Sequence, residues 1–279
     1  MKYEIIIFDA DETLFDFKKS EREALKNSIL EFDIDYDENH HLKVYKEVNT
    51  AIWKELERGL ITQKKLKTER FKRLSDRLNV EFDIEYDENH HLKVYKEVNT
   101  AIWKELENGL ITQKKLKTER FKRLSDRLKV EFDEIEFAKS YMKHLSLASF
   151  LYDDSIDLIE SLNKNYRLSI ITNGLKDVQD NRIRKSIIAK YFEDIVVSEE
   201  VEVSKPDPKI FEHALNNIKH TDKSKVLIVG DSLTSDIQGG INFGIDTCWF
   251  NPSKVVNKTG IKPTYEISNL MEIKDILKK

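Results

Sequence analysis

The chain reads as an α/β domain, a parallel sheet with helices on both faces, interrupted by an all-helical block. Three observations predict this. Short runs rich in Ile and Val occur at Tyr3–Ala10, Tyr166–Thr172, Asp194–Ser198, Lys225–Gly230 and Asp246–Phe250. Helical patterns alternate with them at Ser155–Asn163, Lys176–Ala189, Pro208–Ile218 and Ser235–Phe243. Strands alternating with helices build a parallel sheet. After the first run comes a long stretch whose apolar residues instead recur every three or four positions, so the helical block enters the α/β domain just after its first strand.

Composition narrows the function. With 47 Lys+Arg against 51 Asp+Glu, the 279 residues carry a net charge of −4. The chain is long enough for a sizeable core and lacks the basic footprint of a nucleic-acid or anionic-membrane binder. Its single cysteine, Cys248, forms no internal disulfide, which suits a reducing compartment. The run Ile5–Phe8 is broken by Asp9, too short for a signal segment or a membrane span. A soluble cytoplasmic protein is expected, and only 8 Gly and 4 Pro favour long helices.

The helical block contains a duplication. Residues 31–80 and 81–130 differ only at Asp35/Glu85, Arg58/Asn108 and Asn79/Lys129. Old repeats keep their apolar pattern while their surfaces drift. Here both match, which indicates a recent or engineered duplication. Each copy reads as a helical hairpin. In the first, Leu42, Tyr45, Val48, Ile52, Leu56 and Leu60 form one stripe, Gly59 breaks the chain, and a second helix carries Leu66, Phe71, Leu74 and Leu78. Gly109 is the equivalent break in the second copy. The basic run Lys64–Arg77 is interleaved with Glu69 and Asp76 and reads as a solvated helix face. His40-His41 and His90-His91 read as helix starts, because adjacent helical side chains diverge and do not converge on a metal. An exposed second stripe would forfeit burial, so the two hairpins are expected to pack as one enlarged bundle within a chain.

Chemistry is expected at the carboxyl ends of the strands. The first strand ends in Asp9-Ala10-Asp11, and residues two apart on a strand face the same way. The strand ending at Gly230 continues into Asp231 and, in the next turn, Asp236. Four converging carboxylates repel one another unless a cation sits among them, and oxygen-only ligands suit a hard ion, Mg²⁺. At two further strand ends, Thr172 and Asn173 lead into a helix and offer donors to an anion, while Lys205 lies in a loop stiffened by Pro206 and Pro208. A metal, a lysine and polar donors around an Asp nucleophile fit phosphoryl transfer.

Taken together, Asp9-x-Asp11-x-Thr13, the strand ending at Thr172, the Lys205 loop and Gly230-Asp231-x4-Asp236 resemble the haloacid-dehalogenase superfamily, in that family's order. The resemblance implies a Rossmann-like core of residues 1–16 and 147–279, with a helical cap at 17–146 that carries the duplication 31–80/81–130. It also implies a two-step phosphatase mechanism. Asp9 would be the nucleophile and Asp11 the general acid and base. Asp9, Asp231, the Asp11 carbonyl and Asp236 would serve Mg²⁺, and Thr172, Asn173 and Lys205 the phosphoryl group. Dehalogenases of the superfamily need no acid two residues after the nucleophile, so Asp11 points to a phosphatase. The wording FDADETLFDF at 8–17, the Trp53/Gly59 hairpin and GDSLTSDIQGG at 230–240 are similar to the pyrimidine 5′-nucleotidase subgroup. That implies a nucleoside monophosphate as substrate, with the Gly59 and Gly109 turns as places for contacts to it and Trp53 and Trp103 packed inside the cap. Neither a nucleic-acid polymer nor a membrane is an expected partner, and the protein would be a monomer or dimer. Two alternatives remain: a phosphatase of the same fold for sugar phosphates or phosphoglycolate, and a binding or scaffold protein whose enlarged cap no longer closes.

Overall fold

The computed structural model describes residues 2–31, 38–78 and 134–278, with Glu97, Val98, Ala101, Ile102, Glu105, Leu110 and Arg123 between them. The chain divides into two compact units: Met1–Ser28 with Tyr141–Lys279, and Ile29–Ser140. Helices in chain order are α1 (Phe17–Glu31), α2 (Glu38–Glu57), α3 (Gln63–Leu78), α4 (Glu134–Leu147) and α5 (Ser155–Leu162). They continue as α6 (Lys176–Arg182), α7 (Ser198–Val201), α8 (Pro208–Asn217), α9 (Gln238–Phe243) and α10 (Ile273–Leu277).

The first unit holds a parallel sheet. Its strands are β1 (Ile5–Phe8), β2 (Arg167–Thr172), β3 (Asp194–Val197), β4 (Val226–Gly230), β5 (Asp246–Phe250) and β6 (Tyr265–Ile267), in the order β3-β2-β1-β4-β5-β6. All pairings are parallel, and Phe8 stands opposite Ile170 on one side and Val229 on the other. The chain builds outward from β1 through β2 to β3, then returns to add β4 on the other side. The order therefore reverses at β1, the place where open α/β sheets bind ligands.

Both faces of the sheet are covered. Ile5 and Ile7 pack with Ile210, Phe211, Ala214 and Leu215 of α8. On the opposite face Ile6 and Phe8 pack with Leu158, Ile159 and Leu162 of α5 and with Ile273 and Leu277 of α10. A strand buried on both faces needs a continuous apolar run, which is why β1 reads Ile-Ile-Ile-Phe without alternation. Each such side chain is worth roughly 1.5–3 kcal/mol of burial.

The five apolar runs became β1 to β5. The edge strand β6 was not foreseen, because three residues are too few to display a period of two. The helix expected over Lys176–Ala189 ends at Arg182. Ile183 and Ile188 are both fully buried, and five positions on a helix turn through about 500°, so an unbroken helix would face only one of them inward. Ahead of α9, Leu233–Ile237 forms a π-helical turn.

In the second unit Tyr45, Val48 and Ile52 of α2 and Leu66, Phe71 and Leu74 of α3 are buried, with the Tyr45 and Phe71 rings stacked at 6.5 Å. Gly59 takes φ +69° in the turn between them, a left-handed conformation that suits glycine. Leu60 lies beyond the end of α2 and is 68% exposed, so it does not belong to the stripe in which its spacing placed it. Thr62 accepts the Lys65 N–H at 3.2 Å and starts α3. Arg73 grips Glu55 with two bonds of 2.7 and 3.1 Å, and Arg77 pairs with Glu47, so basic residues of α3 are matched with acids of α2. His40 and His41 stand in the first turn of α2, as expected of a helix start.

The described residues of the second copy repeat these features. Val98 and Ile102 are buried like Val48 and Ile52, and Arg123 grips Glu105 at the same 2.7 and 3.1 Å. Its stripe is thus not left in water at these positions. The remainder of that hairpin, with His90-His91, Trp103 and Gly109, lies outside the described residues, as does the packing expected of an enlarged bundle. Removing 81–130 leaves 279 − 50 = 229 residues and is expected to yield a cooperatively folding protein, read by thermal melting. Loss of cooperative unfolding would show that both hairpins are required.

Candidate active site

The carboxyl ends of β1, β2 and β4 bring the predicted residues together. Asp9 follows β1 and is anchored by its N–H to the Val229 carbonyl at 2.9 Å. Its Oδ1 accepts from Lys205 Nζ at 2.5 Å and its Oδ2 from Thr13 Oγ1 at 3.3 Å. Lys205 also reaches Asp236 Oδ1 at 2.7 Å, an ion pair without hydrogen-bond alignment, and donates to the Ile171 carbonyl at 2.8 Å. It is 2% exposed, so its charge is held inside the protein.

Local sequence explains the placement. Asn173 accepts the Lys205 N–H at 2.8 Å and donates to the Lys205 carbonyl at 2.9 Å, clamping that loop to the end of β2. Asp207 then caps α8 by accepting the Lys209 N–H, with Pro208 at the first helical position. Asp236 is aimed inward because its Oδ2 accepts the Ser232 N–H at 2.9 Å. Gly230 makes room for it: a Cβ at that position would stand 2.3 Å from Asp236 Oδ2. The Asp231 carbonyl is fixed by the Trp249 indole at 2.8 Å.

Carboxylate oxygens of Asp9, Asp231 and Asp236 lie within 4.8 Å of one another. Three acids against one ammonium leave surplus negative charge in a buried place. Burial, reinforced by Asp236 and Asp11, raises the Asp9 carboxyl to about 7 against the opposing pull of Lys205. Burial with the charges of Asp9 and Asp236 raises Asp231 to about 9. For Lys205, burial acts downward, but Asp236 and Asp9 outweigh it and hold the ammonium above its ordinary range. A buried cluster of oxygen donors that resists full ionisation fits a hard divalent cation, which would discharge it.

This charge surplus fixes a pH dependence. Both carboxyls have native values above their ordinary 3.8, so the metal-free fold binds protons that the unfolded chain has released. The stability these groups contribute is complete below about 4 and is lost as pH rises, through about 7 for Asp9 and about 9 for Asp231. The melting-temperature gain from Mg²⁺ over EDTA should therefore grow with pH across that interval and level off above it. A gain that shrinks with rising pH would place the cation elsewhere.

Two residues at the site escaped the sequence reading. Asp11 accepts from Gln179 Nε2 at 2.9 Å and from Arg182 Nη1 at 2.7 Å. Both partners lie on α6 and are at most 1% exposed. Their three-residue spacing on a helix otherwise marked by buried Val178 was the available signal. Thr172 is 1% exposed and sits against Gln179 at 3.2 Å. Glu12, in a left-handed conformation at φ 66°, is held by the Lys18 N–H and ammonium.

Comparison with known proteins identifies the family. The family model for haloacid dehalogenase-like hydrolases matches residues 3–244. The chain belongs to this family. Among haloacid dehalogenase-like relatives, pyrimidine 5′-nucleotidase YjjG of Escherichia coli is 36% identical, with all of both chains covered. Pyrimidine 5′-nucleotidase PynA of Streptococcus pneumoniae is 30% identical over all of this chain and 97% of its own. The magnesium-bound crystal structure of the HAD-hydrolase YfnB of Bacillus subtilis superimposes with a TM-score of 0.76 at 29% identity, covering 100% of each chain. The protein is an enzyme of this family, a phosphohydrolase. Among the described residues no helix is long and apolar enough to cross a membrane.

Proposed function

We propose that this enzyme is a Mg²⁺-dependent phosphatase of nucleoside 5′-monophosphates, with pyrimidine nucleotides preferred. The observation that carries the reading is full-length similarity to two pyrimidine 5′-nucleotidases, joined to a site where Asp9, Lys205, Asp231 and Asp236 converge. Asp9 attacks phosphorus while Asp11 gives a proton to the departing ribose oxygen. Asp11 then takes a proton from water, whose oxygen attacks the aspartyl-phosphate and returns Asp9 as a carboxylate. Thr172 and Lys205 hold the phosphoryl group and offset its charge, and Asn173 keeps Lys205 in place. The carboxylates of Asp9 and Asp231, the Asp11 carbonyl and, through water, Asp236 would hold the cation, whose charge would offset that of the phosphoryl oxygens.

Phosphate release from a panel of nucleoside monophosphates, sugar phosphates and phosphoglycolate, with Mg²⁺ and with EDTA, tests the reading. Pyrimidine monophosphates should lead by at least about tenfold in kcat/KM, a difference of about 1.4 kcal/mol in transition-state binding, with nothing above background in EDTA. Equal or better turnover of sugar phosphates would replace the nucleotide reading. Release from no compound in Mg²⁺ would favour a binding protein.

A further inference from the structure

The Asp11 carboxylate is held by side chains of the helix that follows Thr172. Arg182 Nη1 donates to Asp11 Oδ1 at 2.7 Å and to Gln179 Oε1 at 3.3 Å. Because Arg182 takes the oxygen of the Gln179 amide, the nitrogen must face the other way. There Gln179 Nε2 donates to Asp11 Oδ2 at 2.9 Å and to Thr172 Oγ1 at 3.2 Å. Arg182 is itself immobilised: it is fully buried, its Nε donates to the Ala148 carbonyl at 3.1 Å, and the guanidinium lies 5.7 and 5.2 Å from the Phe15 and Phe17 rings.

Thr172 completes the arrangement. A hydroxyl has two acceptor sites and one donor. The Gly174 N–H and Gln179 Nε2, both at 3.2 Å, fill the acceptor sites. Among the described residues no group accepts the Thr172 proton, so the hydroxyl is set to donate. Gly174 is part of the same design: an added Cβ would stand 2.1 Å from Gln179 Nε2 and 2.7 Å from Gln179 Cδ, so only glycine leaves the amide where it is.

We propose that Gln179 and Arg182 are positioning residues for the hydrolytic half-reaction. They fix the Asp11 carboxylate and tie it to Thr172, so that the group that activates water and the hydroxyl that meets the phosphoryl oxygens share one geometry. The proposal rests on the reading of Asp11 as the acid and base. In that step the water oxygen bonds to phosphorus as the Asp9 Oδ–P bond breaks. The bonding pair returns to the Asp9 carboxylate, and the water proton passes to Asp11. Misplacing a reacting group by about 1 Å costs on the order of a hundredfold.

The test separates the two half-reactions. With Mg²⁺ and p-nitrophenyl phosphate, whose leaving group departs without an acid, rapid mixing gives the rate of p-nitrophenolate release, and quenching gives decay of the phosphoenzyme. Gln179→Leu, nearly equal in volume but without donors, is expected to slow decay about 10–100-fold, at least tenfold more than release. Gly174→Ala keeps every donor and displaces only the Gln179 amide, and it should show the same split. Arg182→Lys keeps the charge without the fork and should show it as well. Asp11→Asn is the reference. If Asp11→Asn leaves decay unchanged, the reading of Asp11 is wrong. If Asp11→Asn slows decay but Gln179→Leu and Gly174→Ala slow both half-reactions equally, or neither, the proposal is overturned and the pair is merely structural.

Discussion

Asp9→Asn is expected to abolish turnover, with kcat down at least about a thousandfold, while the protein remains folded. The amide is nearly isosteric but is a poor nucleophile. Stability should separate from activity here. Asp9 is one of three clustered acids facing a single ammonium, so removing its charge relieves repulsion in the metal-free protein. The melting temperature in EDTA should hold or rise even as activity disappears. The new amide can keep both contacts, its oxygen accepting from Lys205 and its NH₂ donating to the Thr13 hydroxyl. Residual activity above about a tenth of wild type would remove Asp9 from the nucleophile role, because covalent catalysis supplies far more than tenfold.

Lys205→Ala should lower both activity and stability. In the native protein the ammonium holds Asp9 at 2.5 Å and Asp236 at 2.7 Å from a site with almost no exposure. Removing one partner of a buried charge cluster costs about 3–5 kcal/mol, which for a protein of this size is on the order of 10 °C in melting temperature. If Lys205 holds the phosphoryl group as proposed, its loss should also reduce kcat about 100–1,000-fold and weaken inhibition by inorganic phosphate. Lys205→Met keeps most of the volume and distinguishes lost charge from a cavity. If Lys205→Met melts and turns over like wild type, the lysine has no part in phosphoryl binding.

The site and the fold were legible in the sequence to different depths, for reasons visible in particular residues. Asp9, Asp231 and Asp236 stand next to strands whose apolar runs are unmistakable, so their convergence at one end of a parallel sheet followed from local pattern and general topology, whereas the Asp11 carboxylate, expected among them, is taken by Gln179 and Arg182. Lys205 was found the same way, from its place just ahead of two stiffening prolines. Its burial was not, because a lysine's exposure depends on which charges the fold sets around it. Asn173 was expected to offer donors to an anion. The structure shows its side chain engaged with the Lys205 backbone, a partner 32 positions away in sequence.

What the amino-acid order determined by itself was therefore periodic or adjacent: the alternation of strands and helices, the all-helical interruption, the duplicated fifty residues and the acids at strand tips. Each is carried by spacing within a few residues, where backbone geometry dictates which side chains share a face. Tertiary structure alone decided the strand order that reverses at β1, the early end of α6, the exposure of Leu60 and the grip of Gln179 and Arg182 on Asp11. The residues joined in that grip are 168 and 171 positions apart. No local pattern reports such a contact, because it forms only when packing brings distant segments together and buries the guanidinium beside the carboxylate.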